Sequence, residues 1–130
     1  MNILIADNDD SVHQDVSVQL QKQGHTIFNT YNSGETLYVL TNEKIDLFFL
    51  GISLLELEGV ETLKYMRSLY CNPDIVLLTS MGDVELAKEG LKKGARSFLL
   101  KPLDLEEVNE VIKETKACND GLLMTHRGIG

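Results

Sequence analysis

Short apolar runs recur along the chain at residues 3–6, 25–28, 45–50, 75–78 and 97–100, and the stretches between them carry apolar residues at helical spacing. Such alternation predicts strand and helix in turn. The first, third and fourth runs are nearly continuous in Ile, Leu, Val and Phe, the pattern of central parallel strands covered on both faces. The second is thinner and is expected at an edge. Val12, Val16 and Leu20 fall four apart on one helical face, with Gly24 as a stop. Ser33 is expected to cap a second helix that buries Leu37 and Leu40. A third helix carries Val60, Leu63 and Met66 and ends before Asn72 and Pro73, and a fourth covers residues 84–93 and stops at Gly94. The fifth opens with a capping box over Asp104, Leu105, Glu106 and Glu107 and turns Leu105, Val108, Val111 and Ile112 inward. Right-handed crossovers place such helices on both sides of a parallel sheet, so the predicted class is α/β, a doubly wound three-layer sandwich over residues 1–118. Residues 119–130 lack helical spacing and read as a tail or the start of a linker.

Composition narrows the function. The chain has 130 residues, 43% of them apolar, enough for one domain with a real core. Lys plus Arg is 12 against 20 for Asp plus Glu, a formal charge of -8, which argues against direct nucleic-acid binding and against docking on anionic lipid. The surplus is uneven: residues 1–63 hold 10 acids and 2 bases, residues 64–130 hold 10 of each. Cys71 and Cys118 form no CxxC pair, no signal peptide is read at the start, and no apolar run approaches the roughly 20 residues needed to cross a bilayer. The expected compartment is the cytoplasm.

Open parallel sheets bind ligands where strands turn into helices. At those positions stand Asp7, Asn8, Asp9 and Asp10 after the first strand, Gly51 at the end of the third, Thr79 and Ser80 after the fourth, and Lys101 and Pro102 after the fifth. Acids, hydroxyls and a lysine on one rim have the chemistry for a hard cation and a phosphoryl group. The plainer alternative is that Asp9 or Asp10 caps the first helix and Lys101 is a surface base.

The segments ILIADNDD, IDLFFLGISLLELEG, IVLLTS and GARSFLLKP, in that order, resemble the CheY-like receiver domain of bacterial two-component response regulators over about residues 2–116. The resemblance implies a flavodoxin-like (βα)5 fold with strand order 2-1-3-4-5. It also implies an acidic pair at Asp7 and Asn8, a phosphoryl-contacting hydroxyl at Thr79 and lysine at Lys101, and a movable aromatic at Phe98. The Lys101–Pro102 bond matches one that is usually cis. In this family an aspartate ending the third strand holds Mg2+ and takes a phosphoryl group from a histidine kinase. This sequence departs from that pattern: Gly51 occupies the acceptor position, Leu55 replaces a proline, and Asn8 replaces a carboxylate. Glycine has no nucleophile. The expectation is therefore a pseudo-receiver with a vestigial pocket of Asp7, Asn8, Asp9, Gly51, Ser53, Thr79 and Lys101, not an enzyme. Its Mg2+ binding should be weak or absent, with Asp7 and Asp9 the residual positions, and Lys101 free to pair with Asp7.

Such a domain should act by docking on protein, with a histidine kinase, an output domain or a second copy as candidate partners. Lys88, Lys92, Lys93 and Arg96 beside Glu106, Glu107 and Glu110 are the expected self-complementary rim, the alternative being an ordinary solvated surface. Residual phosphate or Mg2+ binding, or phosphorylation at Asp9, Asp10 or Ser53, is a second reading. A flavin-binding electron carrier can share the strand order, but acidic residues follow the first strand where that class needs a phosphate-cradling loop. No GxSxG, HExxH or Walker A sequence points to a hydrolase, and His13 is expected to be solvated.

Overall fold

The computed structural model describes residues 1–54 and 73–115. Five parallel strands, β1 (Asn2–Ala6), β2 (Thr26–Thr30), β3 (Leu47–Gly51), β4 (Asp74–Thr79) and β5 (Ser97–Leu100), form one sheet in the order β2-β1-β3-β4-β5. Among the described residues the α-helices are α1 (Asp10–Lys22), α2 (Ser33–Asn42), α3 (Ile52–Leu54), α4 (Val84–Lys92) and α5 (Leu105–Glu114). This is the expected doubly wound α/β order.

Alternation along the strands divides the core into two layers. Ile3, Ile5, Leu47, Phe49, Val76 and Leu78 face α1 and α5, meeting Val12, Val16, Leu20, Val108 and Val111. Leu4, Ala6, Phe48, Leu50, Ile75 and Leu77 face the other way, toward Leu40, Ile52, Leu54 and Ala87. The three central strands are buried on both faces, which explains their unbroken apolar runs. Full burial of each Ile, Leu or Phe contributes about 1.5–3 kcal/mol, so these layers are the main force holding the strand ends in register. Gly24 and Gly94 follow helix ends at φ 95° and 121°, where a side chain would be strained.

Several local expectations change. Asn32, not Ser33, caps α2, its side chain accepting from Glu35 N at 2.8 Å. That phase turns Thr36 and Leu40 inward and leaves Leu37 exposed. Thr36 is tolerated inside because its hydroxyl meets that of Thr30 at 2.8 Å. Asp104 caps α5 through Glu106 N at 3.0 Å. The helix expected around Val60, Leu63 and Met66 lies outside the described residues, as do Leu55, Cys71, Cys118 and residues 119–130. No helix among the described residues is long and apolar enough to cross a membrane.

Candidate functional site

The rim at the carboxyl ends of the strands begins with Asp7, one residue beyond β1 and fully buried. Its backbone N–H donates to Thr30 O at 3.1 Å, which keeps the chain extended and aims the side chain inward. Oδ1 accepts from Asp9 N at 2.9 Å. Lys101 Nζ lies 2.7 Å from Oδ2, while no donor is aligned for a hydrogen bond to that oxygen. The contact is thus an ion pair held by charge and distance more than by direction. Lys101 is brought there by its own N–H, which donates to Thr79 O at 2.8 Å and ties the end of β5 to β4.

Gly51 is next to Asp7 because β1 and β3 pair in parallel with Ala6 opposite Leu50, so the following residues face each other. A Cβ at position 51 would stand 2.6 Å from Asp7 Cγ and 3.2 Å from Asp7 Cβ, closer than packed atoms tolerate. The Asp7 carboxylate fills the volume into which a side chain at 51 would grow. Over it, Ser53 Oγ donates to Asn8 Oδ1 at 3.2 Å. Thr79 is fully buried and its hydroxyl donates to Ser80 O at 3.1 Å. Asp9 caps α1: Oδ1 accepts from Ser11 N at 3.0 Å and Ser11 Oγ at 2.8 Å, and these bonds hold its carboxyl below the usual carboxylate range. The structure therefore gathers Asp7, Asn8, Gly51, Ser53, Thr79 and Lys101, and gives Asp9 to the helix.

His13 was expected in solvent and is instead buried under this rim. Nε2 donates to Asp7 O at 2.8 Å, Nδ1 lies 2.6 Å from Asn29 Oδ1, and Ser17 Oγ donates to Asn29 Oδ1 at 3.0 Å. Its ring leans on Tyr31, whose hydroxyl donates to Asp10 Oδ1 at 2.9 Å; that bond pushes the Tyr31 phenol up. The sequence signal was the spacing of His13, Ser17 and Leu20, a second helical row beside Val12 and Val16.

On the far side Phe98 is half-buried against the α4 layer, Pro102 is exposed and the Lys101–Pro102 bond is cis. Within α4 Lys88 pairs with Glu85 and Lys92 with Glu89, both at 3.2 Å, and Glu107 is exposed on α5. Arg96 does not belong with them. Its guanidinium turns to Asp74 Oδ2 and Thr115 Oγ1, both at 2.8 Å, and to Val111 O at 3.2 Å, clamping β4 to the end of α5.

Residues 3–113 match the response regulator receiver domain. The chain belongs to that family. The receiver domain is 32% identical over 111 residues to the regulatory protein AtoC of Escherichia coli, covering 85% of this chain and 24% of AtoC. It is 27% identical over 112 residues to sporulation initiation phosphotransferase F of Bacillus subtilis, covering 86% of this chain and 90% of that protein. A crystal structure of a two-component response regulator from Clostridium difficile superimposes with a TM-score of 0.78 at 30% identity, covering 88% and 93% of the two chains. The chain spans about a quarter of the length of AtoC and of the regulator ZraR of Salmonella typhimurium. Receiver domains are modules of two-component signalling.

Proposed function

We propose that this receiver is a pseudo-receiver, a signalling domain that works by protein docking without phosphorylation at the end of β3. The observation that carries the reading is the Gly51–Asp7 packing. Position 51 has no nucleophile, and the space its side chain would need is taken by a carboxylate paired with Lys101. The name phosphotransferase F, borne by one relative, describes a chemistry for which residue 51 has no acceptor here.

The family implies Mg2+ at this rim, and the residues present do not fit it. A hard cation that keeps near-octahedral oxygen geometry needs carboxylates free to face it. Asp7 already has an ammonium partner, Asn8 offers a neutral amide engaged with Ser53, and Asp9 serves as a cap. Among the described residues no group of three or more His, Cys, Asp or Glu could hold a metal.

The docking unit is residues 1–118, with residues 119–130 as tail or linker, and a histidine kinase, an output domain or a second copy as partner. Incubation with acetyl phosphate and Mg2+ followed by intact mass measurement tests the reading. No phosphate adduct is expected; a stoichiometric adduct at Asp9, Asp10 or Ser53 would replace it with non-standard phosphorylation.

A further inference from the structure

The outer edge of β2 and the groove beside it present exposed backbone and side chains away from Gly51 and Lys101. Because Thr26 N donates to Met1 O and Thr30 O accepts from Asp7 N, the backbone groups of Thr26, Phe28 and Thr30 point toward β1. Alternation then turns the N–H and C=O groups of Ile27 and Asn29 outward, on an edge strand where no described residue meets them. Natural edges are commonly blunted by lysine, proline or a bulge, and TIFNT carries none of these. The Asn29 side chain, though exposed, is tied to Ser17 and His13 of α1, which anchors this stretch of edge.

Beside it lies a groove of about 550 Å³ lined by Tyr31, Gly34, Glu35, Tyr38 and Val39. Tyr38 is 70% exposed, unusual for an aromatic without a role in contacts. Glu35 uses one oxygen to accept from Tyr31 N, and neither β2 nor α2 contains a base. Residues 1–54 hold seven acids, Asp7, Asp9, Asp10, Asp15, Glu35, Glu43 and Asp46, against Lys22 and Lys44. Tyrosine faces beside a carboxylate suit a cationic side chain, and the surplus acid repels nucleic acid and anionic lipid.

We propose that this surface docks an extended, arginine- or lysine-bearing segment of a partner protein, which adds to β2 as a further parallel or antiparallel strand and lays a cationic side chain across Tyr31 and Tyr38 toward Glu35. The proposal concerns the sheet edge, so it stands or falls separately from the reading of the pocket at Gly51.

The test is an NMR titration of 15N-labelled protein with the peptide acetyl-Val-Arg-Val-Arg-Val-amide. Shifts are expected at the amides of Ile27, Asn29, Tyr31, Glu35 and Tyr38. Affinity should fall roughly fivefold or more in E35Q and in Y38A, whose side chains are exposed and whose folding should be unaffected. It should fall similarly when alternate peptide nitrogens are methylated, and with rising salt. Shifts centred elsewhere, no shifts at millimolar peptide, or equal binding of the version with Glu in place of Arg would overturn the proposal.

Discussion

At the amino ends of the strands Arg96 spreads its guanidinium over Asp74, Thr115 and the Val111 carbonyl, whereas at the carboxyl ends Lys101 meets Asp7 through one contact at 2.7 Å without an aligned hydrogen bond. The first arrangement is redundant and partly solvated. Losing any single bond leaves the others, and Thr115 Oγ1 keeps its own bond to Val111 O at 2.7 Å. The second is single, with Asp7 fully buried and the Lys101 side chain 22% exposed. A charge taken out of water is tolerated only while its partner stays, so two ion pairs of similar length carry different consequences. Redundant polar clamps hold a fold together whichever single bond is lost, whereas a lone pair with a buried carboxylate depends on both of its partners.

The sharpest break of that comparison is to remove each cation. K101M leaves the Asp7 carboxylate buried without a counter-charge and should cost about 3 kcal/mol by urea unfolding. R96A, which loses partly solvated bonds, should cost about 1–2 kcal/mol. Equal losses would mean that the Asp7–Lys101 pair is not isolated. D7N/K101M should recover most of the K101M loss, since the charge and not the shape is at fault.

Next in size is the packing at Gly51. G51A should cost about 2 kcal/mol by overpacking against Asp7 and close to nothing in a D7A background. Additive effects would show that Asp7 is not what fills the site. The same geometry predicts that G51D alone is no simple restoration, because the new side chain must first displace Asp7.

The smallest effect is on pH. The Asp9 carboxyl is lowered in the folded state by its bonds to Ser11, so its contribution is present above the unfolded carboxylate range and disappears as pH falls through the folded value. His25 is lowered by burial and then by the adjacent terminal ammonium, so the unfolded chain takes up its proton first and acid again favours unfolding. D9N keeps the cap but removes the titration. Its stability at neutral pH should be close to that of the parent, with a flatter decline below about pH 4.

The sheet was legible because its central strands are covered on both faces and therefore read as unbroken apolar runs. Helix phase was less so. Asn32 and Ser33 are both good caps, and a cap at Ser33 predicts Leu37 inside, whereas the cap at Asn32 buries Thr36, whose burial depends on a hydroxyl partner in β2. His13 and Arg96 misled for a related reason: each is polar by composition, yet tertiary partners draw the histidine inside and turn the arginine into a clamp. At the rim, the missing nucleophile at Gly51 and the pairing of Lys101 with Asp7 could be expected from residue type. That Asp7 occupies the volume of a side chain at 51 is a matter of fractions of an ångström between β1 and β3, which no pattern of residue types encodes.

The proposed reading turns on whether the Asp7–Lys101 ion pair and the packing of Asp7 against Gly51 exclude metal and phosphoryl group from this rim. The most direct measurement is the melting temperature with and without millimolar Mg2+, repeated with acetyl phosphate present. The expected value is the same in all conditions, because Asp7 is paired with Lys101 and position 51 offers the phosphodonor no nucleophile. A rise of several degrees with Mg2+, larger still with the phosphodonor, would contradict it.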